Sequence, residues 1–248
     1  MNLKDLKREW EEIASQDAYW AVLSQRNRKF GKWDIQQFFR TGEQQIEIVI
    51  KSANRLGYPL QRQIALDFGC GPGRLTRALS KHFRQSIGID ISEKMIDYAR
   101  SLNTDLSNCS FLVNNQDNLQ LFTDNHFDLV YSNLVLQHLP SKATIYSYIS
   151  EFVRIIKPNG LLVFQLPNSL PFEVWIQPRR ILYRILRLGG FSERFLYWKL
   201  GLHPIRMKAI PKRDVVFFLS SIGAKLIEVQ THNDPEFKFE SSTYFSTK

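Results

Sequence analysis

Cysteine is scarce in this chain: Cys70 and Cys109 are the only two among 248 residues. Two thiols build neither a disulfide framework nor a zinc site. Long apolar runs are missing too. No stretch approaches about 18 uninterrupted apolar residues, so no membrane-spanning helix is expected, although attachment to a membrane surface stays open. The first ten residues are charged and hold no apolar signal core, which points to a cytoplasmic chain. Internal repeats and low-complexity tracts are also absent. Acid is in deficit: 33 Lys and Arg against 24 Asp and Glu give a net charge of +9. Such an excess points to nucleic acid, an anionic membrane or an anionic substrate, depending on where the charges sit.

What the chain does have is an ordinary globular composition, 44% hydrophobic and 23% charged, which argues against disorder, collagen and coiled coil. Its length suits one large domain or a domain with an insertion. Residues 3–14 place Leu3, Leu6, Trp10 and Ile13 on one helical face. An apolar patch without clear periodicity follows at 17–23, and Arg26-Asn27-Arg28-Lys29 reads as loop. Residues 34–56 read as a helix interrupted at Thr41-Gly42 and stopped by Tyr58-Pro59. Beyond residue 62, strands at 64–68, 86–90, 110–114, 127–132 and 161–166 alternate with helices at 74–83, 92–101 and 141–157. Ser92 as N-cap with Glu93 in the first turn is a sound helix start. This alternation means βαβ units and a parallel sheet. Residues 168–211 break the rhythm with Trp175, Trp198, prolines and many arginines. A helix at 212–222 and strands at 225–230 and 243–246 restore it.

The strongest motif is Leu66-Asp67-Phe68-Gly69-Cys70-Gly71-Pro72-Gly73-Arg74-Leu75, at the first strand-to-helix junction. An open α/β sheet binds nucleotide-like ligands at such a junction, and glycine serves where the backbone turns sharply or a ligand comes close. The dinucleotide fingerprint G-x-G-x-x-G fails, because its last position falls on Arg74 or Thr76. The P-loop lysine is absent as well. An acid at the strand end, aimed into a glycine loop, suits a cationic ligand better than a pyrophosphate. Asp90 ends the second strand in Ile87-Gly88-Ile89-Asp90-Ile91-Ser92, where a carboxylate can accept from two ribose hydroxyls.

With these two motifs, Phe127-Asp128-Leu129-Val130-Tyr131-Ser132-Asn133 and Ile156-Lys157-Pro158-Asn159-Gly160 complete an ordered set. Together they resemble the class I, Rossmann-like S-adenosylmethionine-dependent methyltransferases, from about residue 64 to 166 and again from 212. The resemblance implies a doubly wound, mostly parallel seven-stranded α/β sheet. It also implies an N-terminal helical extension at 1–60, a core at 61–167 and 212–248, and a basic lid insertion at 168–211. By the same resemblance, Asp67 and the loop of Gly69, Cys70, Gly71 and Gly73 hold the methionine part of S-adenosylmethionine. Asp90 holds the ribose, with Ile91 against the adenine. Asn115 matches the position that meets the adenine amino group, with Gln116 beside it and Asp117 competing. Ser132, Asn133 and Leu134 border the sulfonium through backbone carbonyls. The competing structural readings are that Asp67 and Asp90 cap local turns, and Cys70 is read chiefly as a small packing residue.

Methyl transfer from a sulfonium is an in-line displacement in which the protein chiefly supplies proximity and orientation. A general base matters only for an un-ionised hydroxyl acceptor. Of the five histidines, His138 lies just beyond the fourth strand and is the candidate for catalysis or acceptor contact; His82, His126, His203 and His232 read as surface residues. The Asn/Asp-Pro-Pro-Tyr element of exocyclic-amine enzymes and the Pro-Cys of cytosine-C5 enzymes are both absent. The segment 134–140 resembles the small-molecule branch, with O-methylation favoured. At about 100° per residue, residues 179–188 form an amphipathic helix with Arg179 at 0°, Arg187, Arg180 and Arg184 at about 80°, 100° and 140°, and apolar residues from about 180° to 340°. Three faces remain open for it: solvent, an anionic acceptor, or an anionic membrane touched through 178–190. Between Pro171 and Arg213 there are ten basic residues and two acids, so +8 of the +9 sits there. That makes nucleic acid an unfavoured partner. The alternatives are an RNA-directed methyltransferase or RNA-binding protein, whose affinity would fall steeply with salt, and a non-catalytic cofactor-binding protein.

Overall fold

The computed structural model describes residues 3–233 and 239–248. The first two residues of the expected 1–60 extension and residues 234–238 of the expected core lie outside the described residues. Two helices open the chain, α1 (Leu3–Val22) and α2 (Ile35–Leu56). Then β1 (Ile64–Phe68), α3 (Arg74–Leu79), β2 (Gln85–Asp90), α4 (Glu93–Leu102) and β3 (Cys109–Val113) alternate. β4 (Phe127–Ser132), α5 (Lys142–Ile155) and β5 (Ile156–Pro167) follow. Three short helices, α6 (Phe172–Ile176), α7 (Pro178–Leu188) and α8 (Glu193–Trp198), precede α9 (Lys212–Ser221), β6 (Lys225–Asn233) and β7 (Glu240–Thr247).

The seven strands form one sheet in the order β3-β2-β1-β4-β5-β7-β6. All pairings are parallel except those of β7 with β5 and β6. The alternation predicts a parallel sheet, and the resemblance implies this doubly wound, mostly parallel seven-stranded form of it. Strand order reverses between β1 and β4, so the connections leave those two strands in opposite directions and open a crevice at their carboxyl ends. Successive side chains alternate across the sheet. Leu66 and Phe68 enter the core that holds α5 and α9, whereas Ala65 enters the core under α2 and α3.

Local differences from the sequence reading have clear causes. The helix expected at 3–14 continues to Val22 through a break at Asp17 (φ −164°, ψ 78°). Asp17 restarts it: one carboxylate oxygen accepts from Trp20 N–H at 3.3 Å, and the other accepts from Gly31 N–H and Tyr197 O–H at 2.8 and 2.7 Å. The interruption expected at Gly42 does not occur, because that glycine marks a close approach: a Cβ there would lie 2.6 Å from the Arg74 carbonyl oxygen. β5 begins at Ile156, earlier than expected, because Ile156 already pairs with Phe127. The run Arg26–Arg28, expected as loop, is a single 3-10 turn.

Electrostatics ties α1 to the insertion. Glu9 accepts from Arg180 at 2.5 Å and from Arg206 at 2.6 Å. Glu12 accepts from Tyr183 O–H at 2.7 Å and faces Arg187 at 3.7 Å. Glu9 and Arg206 are both buried, so neither has water to replace a lost partner. Removing one member of such a cluster strands a buried charge.

Two substitutions test this description. Gly42→Ala, which gains stability in an exposed helix, is expected to lose about 1–3 kcal/mol here because the added methyl meets fixed backbone; denaturant unfolding showing a gain would refute the close approach. Glu9→Ala is expected to lose about 3–5 kcal/mol, and a loss below about 1 kcal/mol would mean that the cluster carries no net weight.

Candidate active site

The glycine loop joins β1 to α3 at the crevice. Gly69 has φ +77°, and a Cβ on it would lie 2.3 Å from a Val135 methyl. Gly71 has φ +51°, and a Cβ there would lie 2.6 Å from a methyl of Val22 at the end of α1. The loop therefore works at close quarters with two other segments, and a side chain at Gly71 would strike the chain's own helix.

A cavity lies above this loop. Its walls include Gly69, Asp90, Ile91, Asn114, Leu134 and His138, and Leu3, Leu6 and Trp10 of α1 close it from above. Asp90 is the electrostatic centre. Its Oδ2 accepts from Gly71 N–H and its Oδ1 from Ser92 N–H, each at 2.9 Å. A carboxylate offers about four lone-pair positions, so two remain for a ligand. Burial pushes its pKa up to about 6.

Several predicted residues stand elsewhere. Asp67 shares its sheet face with Ala65 and turns toward α3, where it accepts from Thr76 O–H at 2.7 Å. Burial lifts its pKa to about 6. It holds the start of α3 and does not line the cavity. Cys70 is buried among Ile96, Ala99 and Phe111, and burial raises its thiol pKa. Gly73 packs toward Asn103 and Phe111. Ser132 is buried and donates to the Phe68 carbonyl at 3.3 Å. Asn115 and Gln116 stand exposed on the rim, hydrogen-bonded to each other at 3.3 Å, while Asn114 forms the wall. Strand alternation gives the reason: β3 ends at Val113, and only the next residue turns inward.

A second cavity of about 460 Å³ adjoins the first, and Leu134 and His138 belong to both walls. Leu134 has φ +59°, a conformation that a bulky side chain adopts only when held there. Its N–H donates to Gln165 Oε1 at 3.3 Å. His138 Nδ1–H donates to the Arg206 carbonyl, which leaves the lone pair on Nε2. Gln137 Nε2–H lies 3.3 Å from that lone pair. Burial pushes the His138 pKa down to about 4, so the ring is neutral near pH 7. His203, expected at the surface, also lines this cavity. Burial, followed by the charges of Lys29 and Arg179, lowers its pKa to about 3. Gln137 Oε1 and His203 Nδ1 are buried without a hydrogen-bond partner among the described residues. Nothing in the local sequence marks His203; the packing of the segment after α8 against Trp20 brings it in, with ring centroids 5.2 Å apart.

Residues 66–164 match the family model of a methyltransferase domain. That stretch holds the glycine loop, Asp90, Asn114 and His138. Over 129 residues the chain is 32% identical to a trans-aconitate 2-methyltransferase of Escherichia coli (strain 55989 / EAEC), covering 51% of this chain and 46% of the relative. A trans-aconitate 2-methyltransferase of Shigella dysenteriae serotype 1 (strain Sd197) is 32% identical over 149 residues, 58% of this chain and 54% of the relative. The chain spans about half the length of the curated relatives it matches. Its fold is similar to that of magnesium protoporphyrin IX methyltransferase from Synechocystis PCC 6803 with bound SAH, at a TM-score of 0.64 and 19% identity, covering 99% of each chain.

Asp90→Asn tests the centre of the site. An amide must turn its NH2 toward either the Gly71 or the Ser92 N–H, donor against donor. Calorimetry is expected to show at least about tenfold weaker S-adenosylmethionine binding. In the unaltered protein, affinity is expected to fall about tenfold from pH 7.5 to pH 5, because the carboxylate gains a proton as pH drops through about 6. Asp67→Asn, whose oxygen can still accept from Thr76, is expected to keep that pH dependence. Affinity independent of pH would remove the role of the Asp90 carboxylate.

Proposed function

We propose that this chain, a class I S-adenosylmethionine-dependent methyltransferase over its central segment 66–164, transfers a methyl group to an ionised oxygen of a small, partly apolar acceptor. The observation that carries this reading is the shared wall of Leu134 and His138 between the two cavities. One cavity has the glycine cradle and a carboxylate. The other has an apolar lining, two orphaned polar atoms and a cation, Arg179.

The first cavity's residues fit the cofactor. Gly69 lines the cavity with bare backbone, and Asp90 has lone pairs left for a ribose diol. Ile91 and Met95 offer apolar walls to an adenine ring. When bound, S-adenosylmethionine supplies an electrophilic methyl group. Free volume in the cavity is about 70 Å³, whereas drug-sized ligands fill roughly 300–1,000 Å³. The free volume is smaller than the cofactor, so binding requires the side chains of Leu3, Leu6 and Trp10 that roof the cavity to give way.

The acceptor is read from the second cavity. Gln137 and His203 give the wall a polar character, and Arg179 favours a negative group. A base with a pKa of about 4 is too weak to deprotonate an alcohol. His138 instead positions Gln137 through its Nε2 lone pair, and the attacking oxygen arrives already ionised, as a carboxylate does. The names of the relatives point the same way, since trans-aconitate is a carboxylate. This cavity supports membership of the small-molecule branch and O-methylation.

The test is incubation with methyl-labelled cofactor and a panel of trans-aconitate, aromatic and aliphatic carboxylic acids, phenols and amines. Label released by mild base as methanol is the expected result, and label in a base-stable N-methyl product would overturn it. His138→Ala is expected to lower kcat/KM by about 10–100-fold, mostly through KM, with cofactor affinity unchanged. An acid limb near pH 6–7 that disappears in His138→Ala would make it a general base instead.

A further inference from the structure

The fold presents α7 with its apolar side outward. Its inner side is Arg180, Tyr183 and Arg187, all bound to acids of α1 or to Glu193. On the outer side Ile181, Leu182, Ile185 and Leu188 are 49%, 46%, 59% and 91% exposed. Immediately before them in the chain, Phe172 and Trp175 are 71% and 68% exposed. A contiguous apolar surface rimmed by charge marks an interaction site.

We propose that this face docks on the surface of a bilayer containing anionic lipids. The charge at its borders selects that occupant. On the helical wheel Arg179 and Arg184 stand on either side of the apolar arc, at about 0° and 140°. Both are exposed, as are Arg194 and Lys199 on and just after α8. None of the four has an ion-pair partner among the described residues. Arg184, with Arg194 and Lys199, reaches outward to phosphate groups while the apolar arc sinks beside it, and Arg179 stays at the cavity mouth. An exposed aromatic pair on the preceding helix α6, Phe172 and Trp175, stacks with centroids 6.2 Å apart, and tryptophan favours the interfacial zone. A second copy of the chain would set these same cations against one another. No described helix is long and apolar enough to cross a membrane, so the contact is with the surface. Gln177, Pro178 and Arg179, at the start of α7, also line the second cavity. Docking therefore sets the mouth of that cavity beside the lipid. This last consequence rests on reading the cavity as the acceptor site, whereas the docking does not.

The experiment is sedimentation of the full chain with vesicles of phosphatidylcholine alone, or with roughly a third phosphatidylglycerol. Binding to the anionic vesicles that weakens as salt rises is expected. Ile185→Glu and Leu188→Glu are each expected to weaken it about tenfold or more, and Arg184→Glu to weaken it as well. Calorimetric affinity for S-adenosylmethionine is expected to stay unchanged in all three, which shows that they fold. Absence of binding to either vesicle, or equal binding by the variants, would overturn the proposal. So would a concentration-dependent dimer, lost in Leu188→Glu, without vesicle binding, since that would assign the face to a second copy. Failure of the methyltransferase reading would show separately, as absence of cofactor affinity in the unaltered protein.

Discussion

Glu9 lies 8% exposed between two guanidinium groups, Arg180 of α7 and Arg206 of the segment beyond α8. Taking three charges from water costs several kcal/mol per ion and is offset only by close, well-directed contacts. Those contacts hold the rest in place. They fix α1 over the crevice, where Leu3, Leu6 and Trp10 become the roof of a cavity. They fix the rotation of α7, so its basic side turns in and its apolar side turns out. They also hold Arg206, whose carbonyl sets the tautomer of His138. One carboxylate thus links the roof, the second cavity and the outer surface.

Beneath that cluster the sheet does what parallel topology dictates. The order reversal between β1 and β4 places the loop after β1 and the segment after β4 side by side. Gly69 packs on Val135 so closely that only glycine fits. Leu134 is held in a left-handed conformation at the point where the two cavities meet. The restraint costs roughly 1–3 kcal/mol, which the surrounding structure must supply. Such strain is tolerated where a backbone segment has to be aimed.

The net charge changes meaning in this setting. A net +8 of the chain's +9 lies in one segment, but the segment is not a uniform basic surface. Arg180, Arg187 and Arg206 are spent on Glu9, Glu12 and Glu193. What faces outward is an apolar strip with cations at its borders. A continuous phosphate-binding groove would need the opposite arrangement.

The alternation of strands and helices, the glycine loop and the acid ending β2 were all legible in the sequence, because periodicity and turn chemistry are local. The seven-stranded sheet came only through the resemblance that these motifs carry, and Gly69, Asp90 and Ile91 do stand in the cavity wall. That Asp67 accepts from Thr76 and lies outside the cavity wall was not legible, because a strand's face depends on what packs there. Asn114, not Asn115 or Gln116, lines the wall because the end of β3 decides which residue turns inward. The amphipathic helix at α7 was visible too, but its orientation was not. Which side of such a helix is buried depends on partners distant in the chain, here acids some 170 residues earlier. The sequence by itself determined the elements and the cofactor motif. Only the tertiary structure decided the roof, His203, the neutral His138 and the outward apolar face, because each depends on burial and pairing between segments far apart in the chain.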